Sequence, residues 1–168
     1  MMLLFQKDHL VYKLKKVNRR IFHNLTWAPI FFVGIVAVVL GITWLVHPEP
    51  WLLDKVPNEV LLKTSFDILF SKSININLPD YLFVIYRFFG LWLLSIGALI
   101  IIYIYVTRLG TKVARNSIFL VLTIILIGIY YLVLNYIPSS PLLPVLYILT
   151  LCLFCSMYFS RKLSDKTI

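Results

Sequence analysis

Apolar residues along this chain gather into four long runs separated by short polar stretches. The first run is TWAPIFFVGIVAVVLGITWLV, beginning at Thr26, and its apolar part covers residues 27–46. At 1.5 Å per residue, about 20 residues make roughly 30 Å of helix, which matches the hydrocarbon core of a bilayer. The second run covers 81–106, the third 117–137 and the fourth 142–160. In lipid a chain must satisfy its own backbone hydrogen bonds, so each run predicts a transmembrane helix. The fold class that follows is all-α: a polytopic membrane four-helix bundle.

The flanks refine this picture. In residues 1–26, Leu3, Leu10, Leu14, Val17, Ile21 and Leu25 recur at helical spacing, and Lys7, Lys13, Lys15, Lys16, Arg19 and Arg20 cover most of the remainder. That pattern predicts an amphipathic helix lying in the headgroup plane. No short apolar core followed by a small-residue cleavage site precedes residue 27, so the first span is expected to remain as an anchor. Trp27 and Trp44 are expected at the interfaces, and Pro29 in the first turn of the span. Residues 47–80 form the one long loop, with a short amphipathic helix predicted between Pro57 and Phe70. Between the third and fourth spans stands PSSP: Ser140 suits an N-cap and Pro141 a first helical position, so these helices are expected to be antiparallel neighbours. Residues 161–168 form a short tail.

Charge sets the expected orientation. Six Lys or Arg lie in 1–26, three in 108–115 (Arg108, Lys112, Arg115) and three in the tail (Arg161, Lys162, Lys166). The long loop has three (Lys55, Lys63, Lys72) against five acids (Glu49, Asp54, Glu59, Asp67, Asp80), and PSSP has none. With four spans, all three basic regions fall on one side, which the positive-inside rule makes cytoplasmic. A plasma (inner) membrane protein with both termini inside is the expectation. Of 168 residues 61% are hydrophobic, more than a small soluble fold can bury. The formal net charge of +9 sits beside apolar spans, so anionic lipid headgroups, not nucleic acid, are the expected partner.

Polar residues within or beside spans are the first candidates for chemistry. Arg87 lies about six residues into the second span, on the same helical face as Asp80 seven residues earlier, and His47, Glu49 and Asn135 stand near the same outer end. If the helices bundle, these five groups form an outward-facing ligand site; alternatively Arg87 snorkels to headgroups or pairs with Asp80. Gly34 and Gly41 lie seven apart in the first span, as do Gly90 and Gly97 in the second, so each pair marks one helical face that admits a close neighbour. Spans one and two are therefore expected to touch. Cys152 and Cys155 read CLFC inside the fourth span, an apolar setting that favours inert thiols. His9, His23 and His47 share no metal-ligand spacing, and no phosphate loop or catalytic motif is present. Neither a metal nor a cofactor is expected. Trp92 is the one tryptophan placed deep in a span.

The end of the first helix, GITWLVHPEPWLL, and the opening of the second, YRFFGLWLLSIGALIIIY, resemble the DoxX-like group of small four-helix bacterial membrane proteins. The residues concerned are Gly41, Pro48, Glu49, Arg87, Gly90 and Gly97, and the resemblance covers about half of the chain. It implies a four-helix membrane fold, and in some relatives thiosulfate or quinone chemistry. The basic N-terminal helix and the longer first loop depart from that pattern. Three functions remain open: a structural, assembly or regulatory component acting through helix–helix contacts with a partner or itself; a quinone-using oxidoreductase subunit; and a small transporter or oligomeric channel.

Overall fold

The computed structural model describes the backbone of residues 2–163 and the side chains of 17–163. The predicted amphipathic face up to Lys16, and tail residues 164–168 with Lys166, lie outside the described side chains. Among the described residues six α-helices follow one another: α1 Met2–Val46, α2 Lys55–Leu62, α3 Phe66–Ser71, α4 Leu78–Thr107, α5 Lys112–Tyr136 and α6 Leu142–Lys162. Among the described residues, α1 (from Val17), α4 (with the short turn before it), α5 and α6 are long and apolar enough to cross a membrane. The chain is an all-α bundle with the character of a multi-pass membrane protein.

The boundary expected at residues 26 and 27 is not a break. The N-terminal segment and the first span form one helix, Met2–Val46, of about 68 Å at 1.5 Å per residue. Pro29 consequently sits inside the helix rather than in its first turn. The backbone continues because Pro29 removes one i→i−4 bond while its neighbours keep theirs. Nearby, the Thr26 hydroxyl donates to the Phe22 carbonyl at 2.8 Å.

Around α1 the other spans are arranged in the order α4, α1, α6, α5. The α1–α4 seam is the tightest, and glycine makes it so. A Cβ on Gly97 would stand 2.8 Å from the Gly34 carbonyl oxygen, and one on Gly90 would stand 2.9 Å from that of Gly41. The two antiparallel helices thus meet backbone to backbone at two levels, Gly34 against Gly97 and Gly41 against Gly90. The predicted contact between the first two spans is present.

On the other side of α1, the buried Ser156 hydroxyl donates to the Thr26 carbonyl, and the rings of Phe22 and Phe159 stack at 5.9 Å. α5 and α6 are the expected antiparallel neighbours. Their hydroxyls meet at Tyr130 and Thr150, 2.9 Å apart, and the Tyr130 and Tyr147 rings lie 6.1 Å apart. The cap is shifted by one residue from the expected one: Pro141, not Ser140, is the N-cap and α6 begins at Leu142, while the Ser140 Oγ accepts from the Leu142 amide at 3.2 Å within the turn.

The turn between α4 and α5 rests on two left-handed residues, Arg108 and Leu109, each with φ of 49°. Non-glycine residues adopt this conformation only when their surroundings hold them there. Leu109 is fully buried, and the Arg115 guanidinium donates to the carbonyls of Leu109 and Gly110, both at 3.2 Å. Arg115, counted from sequence as a flanking charge, is thus only 4% exposed and bonded to the turn.

The long loop folds over the opposite end. In place of one amphipathic helix it forms α2 and α3, because Lys63 turns left-handed (φ 54°) and ends α2. Ser65 then caps α3, accepting from Ile68 N at 3.3 Å. Pro50, Trp51, Pro57 and Phe66 are buried, and Phe70 packs edge-on to Trp51 and stacks on Phe66.

Candidate functional site

Alternation of the four spans puts the 47–77 loop and the 137–141 turn at one end of the bundle, where the expected polar cluster belongs. α4 starts at Leu78, so Asp80 stands exposed in its first turn and Arg87 lies more than two turns in. The Arg87 guanidinium lies 4.5 Å over the Phe83 ring, a cation–π contact. It lines a shallow pocket of about 290 Å³ with Leu45, Phe83, Val84, Phe88 and Leu91. Among the described residues its Nε is buried without a hydrogen-bond partner, and no ion pair joins it to Asp80. Phe83 and the apolar wall therefore hold this cation, in place of the carboxylate two turns back on the same face.

The remaining members are used locally. His47 Nδ1 accepts from the Glu49 amide at 3.1 Å, which shapes the exit from α1. The Asn135 side chain donates to the Tyr131 carbonyl at 2.7 Å, one turn back on α5. Among the described residues no hydrogen bond or ion pair links any two of His47, Asp80, Arg87 and Asn135. Arg87 turns to the Phe83 ring, His47 and Asn135 bond within their own segments, and α4 does not pack closely against α5. Gly34, Gly41, Gly90 and Gly97 are fully engaged in the α1–α4 seam.

A different polar group does assemble at this end. Asn58 of α2 donates to the Tyr86 hydroxyl of α4 at 2.6 Å, and Asp54 lies within electrostatic reach of the same tyrosine. Burial pushes the Asp54 carboxyl above its usual range, and its Oδ1 finds no hydrogen-bond partner among the described residues. Glu59 fastens the neighbouring helix, accepting from the Phe66 amide at 2.9 Å and lying 3.8 Å from Lys55. Asp54 and Asn58 are four apart in a helix-forming segment, a pattern visible in sequence; their partner, 28 residues beyond Asn58, is not.

Trp44, two residues from the end of α1, turns into the bundle. It is 3% exposed, edge-on to Phe89 at 5.3 Å, and its Cβ packs at Gly90. Trp92, by contrast, is 62% exposed on the outer face of α4. Cys152 and Cys155 are free thiols, partly buried on α6. Among the described residues, no three His, Cys, Asp or Glu side chains are grouped to hold a metal ion. Comparison of the chain with family models, curated proteins and solved structures found no match.

Proposed function

We propose that this chain is a small membrane component that acts by docking through its helices, onto a membrane-protein partner or a second copy of itself. One observation carries the reading. The spaced glycines are spent inside the α1–α4 seam, while α5 is held on one flank and presents apolar side chains outward: Leu120, Ile124, Ile127 and Tyr131. Gly128 lies among them with open space where a Cβ would be, so a second helix meets no obstacle there. The docking face is α5, and the glycine pairs hold together the unit that displays it.

The charge pattern supports a bacterial inner membrane as the location, with both termini cytoplasmic and anionic headgroups along the basic face. The test is disulfide cross-linking in native membranes, in a Cys152→Ser/Cys155→Ser background. Ile124→Cys on α5 is expected to form a dimer or a discrete adduct. Ile35→Cys, on the lipid-facing side of α1, is expected to form none. Equal cross-linking at both positions, or none at Ile124→Cys, defeats the reading.

One observation favours a second reading, the quinone-using oxidoreductase subunit that the DoxX-like resemblance implies. Arg87 is a single cation in a pocket otherwise lined by apolar residues. A quinone that co-purifies with the native chain and is lost in Arg87→Ala would place this reading ahead.

A further inference from the structure

Arg87 is a charge without a counter-charge. Its guanidinium lies 4.5 Å over the Phe83 ring, and a ring quadrupole attracts a cation without neutralising it. Among the described residues its Nε is buried with no hydrogen-bond partner, and no carboxylate lies within ion-pair distance. Asp80, seven residues earlier, is about 10 Å away along the helix. A cation set in an apolar wall is costly unless an anion meets it, so an anion from outside the chain completes the site.

Helical side chains lean toward the helix N-terminus, and the contact with Phe83, one turn back, shows Arg87 doing so. The charge therefore stands near Tyr81, where the apolar run begins and where an exposed tyrosine suits the headgroup boundary. The rest of the pocket runs the other way. Val84, Phe88 and Leu91 recur on one face of α4, each about half exposed, and Leu45 of α1 closes one side. From Phe83 to Leu91 is about 12 Å of helix, which fits within one leaflet of a ~30 Å hydrocarbon core.

The pocket thus offers a cation at the loop end and hydrocarbon toward the middle of the span. A lipid entering from that end presents the matching order, an anionic headgroup and then an acyl chain. An inorganic anion matches the cation but not the wall. A partner helix, about 10 Å across, is too wide for a recess of about 290 Å³ spread over that length. We infer that the Arg87 pocket seats one anionic phospholipid, its phosphate on the guanidinium and one acyl chain along Val84, Phe88 and Leu91. The planar fork of the guanidinium suits phosphate oxygens. This inference competes with the quinone reading of the same pocket and is independent of the docking role of α5.

The experiment is native mass spectrometry of the full chain released from nanodiscs of equal phosphatidylglycerol and phosphatidylcholine. One phosphatidylglycerol per chain is expected to survive release, in roughly fivefold preference over phosphatidylcholine, as one cation near the surface would give. Arg87→Gln is expected to abolish that preference and Arg87→Lys to keep part of it. Lys72→Gln removes an exposed cation at the same end, outside the pocket, and is expected to leave the preference unchanged. Val84→Trp is expected to fill the recess and release the lipid. Circular dichroism checks the folding of every variant; where one does not fold, Arg87→Met or Leu91→Trp serves with the same readout. Equal retention of the two lipids by the native chain overturns the inference. So does a preference that survives Arg87→Gln or vanishes in Lys72→Gln, a folded recess variant that keeps its lipid, or displacement of the lipid by inorganic phosphate. A quinone or a second copy of the chain in place of the lipid adduct overturns it as well.

Discussion

At Gly41 an added Cβ would fall on the Leu94 amide nitrogen, whereas at Gly128 it would meet nothing within 4 Å. The same substitution should therefore act with opposite sign. Gly41→Ala forces the α1–α4 backbones apart and should cost about 1–3 kcal/mol, as overpacking does. Gly128→Ala loses no contact and should add about 0.5–1 kcal/mol by restricting the unfolded chain. Unfolding in mixed micelles measures both; equal shifts would contradict the seam. Asp54 offers a second test at this scale. Its folded carboxyl is held above the usual value by burial, so the folded state binds the proton more tightly than the unfolded state does. Stability should be greatest below the unfolded value, fall as pH rises through the raised folded value, and level off above it. Melting temperatures across acidic pH should show this decline in the native chain, and Asp54→Asn should flatten it.

The elements divide by what hydropathy can reveal. Lipid demands long apolar runs, so all four spans were legible in sequence, and the glycine spacing marked the α1–α4 contact because nothing else lets two backbones come so near. Facing was not legible. Trp44 and Trp92 are alike as apolar span residues, yet one is enclosed at Gly90 and the other faces outward. Arg115 lies at a basic loop in sequence but folds back onto the carbonyls of Leu109 and Gly110. The polar cluster was not legible for a similar reason: Arg87 lies over Phe83 of its own helix even though α1 and α4 pack closely, and Asn135 stands on α5, which is not closely packed on α4. At this scale Tyr130→Phe should weaken the attachment of α5. It removes the hydroxyl pair with Thr150, worth about 0.6 kcal/mol in a membrane interior. Hydrogen exchange should then rise over α5 and α6 while the α1–α4 seam stays protected; a uniform rise would mean that α5 is not a separable arm.

For the whole molecule, alternation of the spans makes orientation a single two-way question. With the basic end inside, Lys72→Cys and Ser139→Cys, each placed in a Cys152→Ser/Cys155→Ser chain, should react with a membrane-impermeant thiol reagent in intact cells. Lys162→Cys should react only after permeabilisation. The reverse pattern would invert the proposed topology and place the basic turn at the outer leaflet.

Pro29 has a mechanical consequence. A proline deprives the Leu25 carbonyl of its helical N–H, so α1 bends most easily at one level along its length. The Ser156 clasp on Thr26 stands at that level. A load on the helix before Thr26 would therefore bend α1 at Thr26–Pro29 and reach the Ser156 contact of α6 before the glycine seam beyond.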